Sequence, residues 1–344
     1  MIRLNCDYLE GAHPRILERL AQTNMTQTPG YGEDEFCQSA RALLRQRCQA
    51  PGADVHFLVG GTQTNLIVLA AALKPYQGVL AAETAHIATH ETGAIEAGGH
   101  KVLALPAADG KITAEQVAKA CLAHFSDEAH EHLVMPGALY ISQPTELGTL
   151  YSRAELQALR EVSREWNLTF YIDGARLGYG MAAPENDVDL PCLAQLCDAF
   201  YIGGTKQGAL FGEALLILKD ALKRDFRYLI KQRGAMLAKG RLLGIQFDEL
   251  FRDGLYEELS QHAVALAKEL REALTEKGYP FLVNSPTNQL FPILPDAHLD
   301  ALRGEYAFSY QCRVDESHSA VRFCTSWATR PEDVRQLIAD LRAL

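Results

Sequence analysis

Three short segments of the chain carry residue types that could do chemistry, and each follows a predicted strand. The first, Gly60-Gly61-Thr62, runs into a predicted helix, where free backbone N–H groups and the helix dipole suit a phosphate. The second begins with Asp173, whose carboxylate could cap a helix, hold a metal or pair with a ring nitrogen. The third places Lys206 near glycines at a strand end, where a desolvated amine can act as a nucleophile.

Each segment taken alone also has an ordinary structural interpretation. Paired glycines often shape a strand–helix turn, an aspartate after a strand often caps the next helix, and a loop lysine is usually solvated. Their order along the chain is more informative than any one of them. In open parallel sheets, ligands bind beyond the carboxyl ends of the strands, where all three segments would lie.

The elements that would position these segments alternate along the chain. Six short apolar runs predict buried strands at 55–59, 78–81, 101–105, 138–141, 168–172 and 199–202. Helical patterns lie between them at 62–74, 85–97, 113–124 and 153–166. Such alternation predicts a mostly parallel sheet between helix layers.

The pattern changes after residue 218. A long helical stretch at about 220–275 leads to short strands near 281–283 and 320–324, and to a closing helix at 331–344. The sequence therefore predicts an α/β fold with a large domain over 1–245 and a smaller C-terminal α+β domain over 246–344.

Composition and charge exclude several classes of protein. With 344 residues, 48% of them hydrophobic and 22% charged, the chain can bury a real core. The formal net charge of −10 disfavours nucleic acid and anionic membranes as partners. The longest apolar run, 66–73, is too short to span a bilayer, and no signal core follows Met1, so we expect a cytoplasmic protein.

The cysteines and the histidine-rich loop predict no metal site. The eight cysteines include no C-x-x-C pair, which favours reduced, buried thiols over zinc ligation or a disulfide framework. His130 and His132 lie among acidic residues at a spacing that fits no catalytic metal motif, so a solvated loop is expected there.

The motifs together resemble those of the threonine aldolase and β-eliminating lyase family, pyridoxal 5'-phosphate enzymes with the aspartate aminotransferase fold. The resemblance covers nearly the whole chain, because six segments stand in the family's order. They are Tyr31-Gly32-Glu33-Asp34, Gly61-Thr62-Gln63-Thr64-Asn65, Ala85-His86-Ile87, Asp173-Gly174-Ala175-Arg176, Thr205-Lys206 and Val321-Arg322-Phe323-Cys324.

The resemblance implies a role for each matching residue. Lys206 would join the cofactor aldehyde, Asp173 would hold a proton on the pyridine nitrogen, and His86 would lie over the ring rather than bind a metal with His90. The other implied site residues are Gly61, Thr62 and Thr205 for the phosphate, Cys6, Tyr31, Arg176 and Arg322 for the substrate, and Lys239 and Arg241 for the phosphate site of a neighbouring subunit. A homodimer or homotetramer with shared active sites is expected.

The chain departs from the family's usual pattern in three places. Cys6 stands where relatives have a serine that would touch the substrate carboxylate, and Glu146 stands where many have a histidine. The stretch Ala209-Leu210-Phe211-Gly212-Glu213-Ala214 also differs from the common form.

The sequence predicts a lyase that cleaves the Cα–Cβ bond of a β-hydroxy-α-amino acid, giving glycine and acetaldehyde from threonine or allo-threonine. Alternatives are β-elimination or transamination on the same scaffold, or a silent cofactor-binding protein. A base must take the β-hydroxyl proton. His86 is the favoured base because imidazole titrates near neutral pH, and Glu146 is the alternative.

Overall fold

A seven-stranded sheet forms the centre of the molecule in this computed structural model, which describes residues 1–344. The strands, in chain order, are β1 (Ile2–Arg3), β2 (Asp54–Leu58), β3 (Gln77–Ala82), β4 (Val102–Leu105), β5 (Met135–Ser142), β6 (Thr169–Asp173), β7 (Ala199–Gly203), β8 (Glu213–Ile217), β9 (Gln289–Leu290), β10 (Ile293–Pro295), β11 (Tyr306–Ala307), β12 (Ser309–Arg313) and β13 (His318–Cys324). The central order is β2-β8-β7-β6-β5-β3-β4, with β8 antiparallel to both neighbours and every other pair parallel. The predicted mostly parallel α/β sheet is confirmed.

Helices pack against this sheet and continue into a second, smaller unit. They are α1 (Pro14–Gln22), α2 (Glu35–Arg47), α3 (Gly61–Ala72), α4 (His86–Thr89), α5 (Ala94–Ala97), α6 (Ala114–Phe125), α7 (Arg153–Glu165), α8 (Leu177–Ala182), α9 (Leu190–Leu196), α10 (Asp220–Lys223), α11 (Phe226–Gln232), α12 (Arg241–Phe251), α13 (Leu255–Glu276), α14 (Asp296–Leu302) and α15 (Pro331–Ala343). Reciprocal capping boxes begin α6 (Thr113 with Gln116) and α7 (Ser152 with Glu155). These boxes satisfy backbone N–H groups that would otherwise lack partners.

Two helical predictions were too long. The pattern at 85–97 forms two short helices, because Thr92 (φ 53°) and Gly93 (φ 68°) adopt left-handed conformations between them. The stretch at 220–275 forms α10 to α13, and left-handed residues such as Asp225 (φ 61°) and Gly254 (φ 77°) separate its parts. A residue in this conformation does not continue a right-handed helix.

The C-terminal strands were predicted less completely. The strand near 320–324 is confirmed as part of β13. The strand near 281–283 was wrong, since Phe281 makes only an isolated bridge to Pro292. The short strands β9 to β12 and the antiparallel β8 were not predicted.

The long helix α13 contributes to two separate hydrophobic cores. Its first turns, with Leu255 and Leu259, pack in the large core around the central sheet. Its later turns, with Leu270 and Leu274, pack in the second core beneath β10 and β13. Leu4 also belongs to the second core, so the start of the chain packs with its C-terminal part.

No helix has the length and apolar content needed to cross a bilayer. All eight cysteines are free thiols, and seven of them are buried.

Candidate active site

Asp173, the last residue of β6, is held by four hydrogen-bond donors and is 3% exposed. Its Oδ2 accepts from the Tyr140 hydroxyl at 2.7 Å and the Asn65 amide at 3.1 Å. Its Oδ1 accepts from the Tyr201 hydroxyl at 2.5 Å and the Ala175 N–H at 3.0 Å. Asp173 does not cap the helix that follows it. Its orientation is therefore fixed, and it presents a carboxylate to the cavity that it lines.

Lys206 lies on the loop after β7 and lines the same cavity. Its amine has neither a hydrogen bond nor an ion pair with another side chain. Burial and the charge of Arg176 lower the pKa of Lys206, although the carboxylates of Asp7 and Asp173 oppose the shift. An amine with a lowered pKa is more readily deprotonated, and this makes Lys206 a suitable nucleophile.

Gly61 lets the turn after β2 approach Tyr201 of β7 closely. A Cβ on Gly61 would lie 2.9 Å from the Tyr201 hydroxyl oxygen. α3 begins at Gly61 without a side-chain cap and without an acidic residue in its first turn. The N-terminus of α3 therefore offers backbone N–H groups and a positive dipole end to an anion.

A chain of hydrogen bonds joins His86 to Asp173 through two buried residues. The Nδ1 of His86 lies 2.8 Å from Oε1 of Glu91, which also accepts from Asn65 Nδ2 at 2.8 Å. The same amide donates to Asp173 at 3.1 Å, and its oxygen accepts from the Tyr171 hydroxyl at 2.8 Å. Because Glu91 binds Nδ1 as an acceptor, the other ring nitrogen of His86 remains free.

The charges around His86 favour its protonated form. Burial disfavours the imidazolium, but the hydrogen bond to Glu91 and the charges of Asp173 and Glu91 outweigh it, and the pKa of His86 is raised. A neutral imidazole with a raised pKa is a stronger base.

Glu146 lies beside His86 and accepts a hydrogen bond from its backbone N–H. Its Oε1 accepts from the Ser142 hydroxyl at 2.6 Å and from the His86 N–H at 2.9 Å. Burial raises the pKa of Glu146, with Asp173 adding to the shift and these hydrogen bonds opposing it. Glu146 thus positions the helix turn that carries His86.

Arg176 forms a bidentate ion pair with Asp7. Its Nε and Nη2 donate to the two carboxylate oxygens at 2.7 and 3.0 Å, and Asn288 donates to the same carboxylate at 2.9 Å. Burial alone would raise the pKa of Asp7, but Arg176, Lys206 and the hydrogen bonds lower it to about 2. This pair joins the N-terminal segment to the site.

Arg322, from β13, keeps part of its guanidinium free. Nη1 donates to Gln289 at 3.2 Å and Nη2 donates to the backbone oxygen of Asn5 at 2.9 Å. Its Nε is buried without a partner. Arg322 lines the second cavity, where the remaining N–H donors of Nη1 and Nη2 can bind an acceptor from a ligand.

Two adjoining cavities bring these groups together. The first, of about 310 Å³, contains Gly61, Thr62, Asp173, Thr205 and Lys206 in its lining. The second, of about 510 Å³, reaches Arg322. Both are lined by Tyr8, His86, Glu146, Arg176 and Lys206. The arrangement can hold an anion at one end and a carboxylate at the other, with an amine and an imidazole between them.

Four predicted site residues do not line either cavity: Cys6, Tyr31, Lys239 and Arg241. Arg241 donates to three backbone oxygens of the segment 23–26 at 2.7–3.0 Å. Tyr31 is 47% exposed, with the Lys231 amine 5.0 Å from the centre of its ring. The predicted roles of Tyr31, Lys239 and Arg241 concern a partner subunit and stay predictions.

Sequence reasoning missed several residues that complete the site. Asn65 stands within a motif to which no separate role was assigned, and Asp7 was not predicted. Glu91 was not predicted either. Its position five residues after the candidate base His86 could have indicated a carboxylate that binds the imidazole. Glu213 appeared only within a stretch that differs from the common pattern.

Comparisons with known proteins match the chain to one family model and to several relatives. The family model described as β-eliminating lyase matches residues 4–325. A low specificity L-threonine aldolase of Pseudomonas aeruginosa is 30% identical over 340 residues, which cover 98% of this chain and 96% of that protein.

Two solved structures are similar to this chain over its whole length. A threonine aldolase of Leishmania major superposes with a TM-score of 0.97 at 43% identity, covering 100% of this chain and 99% of that one. A Thermus thermophilus aspartate aminotransferase superposes with a TM-score of 0.72 at 16% identity, covering 100% of this chain and 92% of that one. The second likeness concerns the fold alone.

Proposed function

The chain belongs to the β-eliminating lyase family, and from this premise we propose that it uses pyridoxal 5'-phosphate to cleave threonine or allo-threonine into glycine and acetaldehyde. The observation that carries the proposal is the unpartnered Lys206 amine, which shares one cavity with the four-times hydrogen-bonded carboxylate of Asp173. That pair suits a cofactor with an aldehyde and a basic ring nitrogen.

The residues present fit this cofactor. Gly61, Thr62 and Thr205 would hold its phosphate, because the uncapped start of α3 supplies N–H donors. Asp173 would hold the protonated ring nitrogen and Lys206 the aldehyde carbon. When bound, the cofactor supplies an electron sink for the charge that develops at Cα of the amino acid.

The amino-acid carboxylate would bind at the arginines. Arg322 lines the second cavity, and Arg176 lines both cavities while paired with Asp7. A guanidinium fixes the orientation of a carboxylate, which places the breaking bond relative to the ring.

His86 would take the proton of the substrate β-hydroxyl. As this proton leaves, the Cα–Cβ bond breaks, the oxygen becomes the carbonyl of acetaldehyde, and Cα later gains a proton to give glycine. Glu91 binds Nδ1 and stabilises the imidazolium that forms, while Glu146 is engaged with Ser142 and the backbone.

The proposed reaction is tested with purified protein, cofactor and a panel of β-hydroxy amino acids, by measuring glycine and each aldehyde. Equal amounts of glycine and acetaldehyde from threonine or allo-threonine are expected. Conversion of 2-oxoglutarate to glutamate without aldehyde would indicate transamination instead. A protein that binds the cofactor and releases neither product would indicate a silent binding protein.

Single substitutions of His86 and of Glu146 should distinguish the two candidate bases. We expect His86→Phe, which keeps an aromatic ring, to lower kcat on threonine about 10²–10⁴-fold, the range typical of a lost general base. Glu146→Gln keeps the hydrogen-bonding shape and should cost less than about tenfold. A nearly inactive Gln variant beside an active Phe variant would reverse the assignment.

The pH profile gives an independent measure of His86. Its neutral form is the base, so kcat should fall as the pH drops through its raised pKa. Glu91→Gln removes the carboxylate that raises this pKa, and the acid limb of the profile should move to lower pH. An acid limb that stays in place in the Gln variant would show that another group titrates.

Shared active sites are tested by mixing inactive variants. We propose that Tyr31, Lys239 and Arg241 serve a partner's site in a homodimer or homotetramer. Lys206→Ala and the double variant Lys239→Ala/Arg241→Ala should each be inactive, and their mixture should regain up to about a quarter of wild-type activity by random pairing. A fully active monomer in light scattering would contradict this.

A further inference from the structure

Glu213 is a buried carboxyl in the first cavity for which the proposed reaction has no use. It is the first residue of β8 and pairs with Leu58 at the end of β2 and with Gly203 at the end of β7. Those two strands lead into the glycine turn and the lysine loop. Glu213 therefore lies between the two segments that would hold the cofactor phosphate.

The contacts of Glu213 are all with uncharged donors. Its Oε1 accepts from the Thr205 hydroxyl at 2.9 Å, and its Oε2 accepts from the Gly204 N–H at 3.2 Å. The side chain has no ion pair and the residue is 4% exposed. Thr205, a predicted phosphate ligand, is thus bound to a carboxyl group.

An ionised Glu213 would be unfavourable beside a phosphate. A neutral carboxyl group offers one O–H donor, whereas a carboxylate only accepts hydrogen bonds and repels a second anion. Ionised Glu213 would also compete with the phosphate for the Thr205 hydroxyl proton. The protonation state of Glu213 therefore changes how strongly the predicted phosphate ligands Gly61, Thr62 and Thr205 can bind an anion.

We propose that Glu213 is a proton-carrying member of the phosphate-binding set, which admits the dianionic phosphate ester of the cofactor when neutral and opposes it when ionised. The inference rests on the proposed use of pyridoxal 5'-phosphate. It adds to the predicted phosphate ligands an acidic side chain whose proton is part of the site.

The surroundings of Glu213 support a neutral form near pH 7. Burial raises the pKa of Glu213 to about 8, with Asp173 adding to the shift and Lys206 and the Thr205 hydroxyl opposing it. The other titratable groups that face it are the phenols of Tyr171, Tyr201 and Tyr256. Burial raises the pKa of each phenol, so these three stay neutral over the same range.

The sign of the pH effect follows from this. Glu213 is neutral below its raised pKa and ionised above it, so the affinity for the phosphate should fall as the pH rises through that pKa. Lys206 titrates in the same cavity, so the experiment needs a ligand that keeps the aldehyde and lacks the phosphate. 5'-Deoxypyridoxal meets that requirement.

The test compares dissociation constants of pyridoxal 5'-phosphate and 5'-deoxypyridoxal at pH 7 and pH 9, for wild type and Glu213→Gln. Between these pH values the wild type should lose about tenfold more affinity for the phosphorylated ligand than the Gln variant does. For the deoxy ligand both proteins should show the same change. Glu128→Gln, the same substitution on an exposed loop, should behave as wild type.

A second readout uses the wild type alone. Calorimetry at pH 8 in two buffers of different ionisation enthalpy should show more proton uptake with the phosphorylated ligand than with the deoxy ligand, after allowance for the ligand's own phosphate titration. Equal uptake would overturn the proposal even if Glu213→Gln does not fold.

The remaining outcomes separate the two proposals. Parallel pH profiles in wild type and Glu213→Gln would overturn the role of Glu213. A difference of the same size with the deoxy ligand would show that Glu213 acts through Lys206 and not on the phosphate. That result would also overturn the proposed role of Glu213. Failure of the wild type to bind the cofactor at any pH would overturn both proposals, whereas binding without aldehyde release would overturn only the proposed reaction.

Discussion

Replacing Lys206 by alanine should abolish threonine cleavage, with a loss of at least about 10⁴-fold in kcat. Lys206 is the only lysine that lines either cavity, and its lowered pKa suits an amine that attacks an aldehyde. Borohydride treatment of the wild type should fix the cofactor on Lys206, as found by mass spectrometry of peptides. The alanine variant should lose its visible absorbance on dialysis.

Lys119→Ala provides the matched control, since Lys119 is exposed on α6 away from both cavities. It should keep its absorbance, its borohydride label and its activity. Label on another lysine, or turnover by the Lys206→Ala variant without added amine, would contradict the assignment of Lys206.

The Asp173→Asn variant should also lose most of its activity, by about 10²-fold or more in kcat. A hydrogen bond to a charged group contributes about 1.5–3 kcal/mol, and the lost charge also weakens the electron sink in the transition state. Four donors converge on Asp173, and an amide NH₂ cannot accept from those that face it. We therefore also expect a lower melting temperature.

Tyr140→Phe and Tyr201→Phe separate charge from hydrogen bonding. Each removes one donor from Asp173 and keeps the carboxylate, so each should lower kcat much less than Asp173→Asn does. Circular dichroism and thermal melts would establish that all three variants are folded. Normal turnover by a folded Asp173→Asn variant would show that Asp173 does not act on the cofactor.

The sequence predicted those parts of the site that follow directly from strand ends. Asp173 ends β6 and Lys206 follows β7, and both lie where the alternation of strands and helices indicates. The parallel direction of β3, β4, β5, β6 and β7 also follows from that alternation, although their order in the sheet does not. These features are local, because each depends on a strand and the few residues after it.

The rest depends on contacts between distant residues. Asp7 meets Arg176 across 169 positions, and Asn65 meets Asp173 across 108, which no spacing rule indicates. The helix at 85–97 was predicted whole, because its apolar pattern continues through the left-handed residues that divide it. The turn between α4 and α5 carries Glu91, and recognising that break would have drawn attention to it.

The placement of β8 between β2 and β7 has a consequence for the order in which the chain folds. As the chain emerges from the ribosome, β2 and β7 precede β8. β2 has no neighbour in the sheet other than β8, and β7 is paired on one side only, with β6, until about residue 217 is available. Until then both strands expose unpaired edges, which favour association with other chains. The second core needs Leu4 together with residues as late as Leu341, and closes only when synthesis is nearly complete. Contacts this distant in sequence slow folding, so the apolar residues of the second core stay exposed longest during synthesis, and chaperones would act on them at that stage.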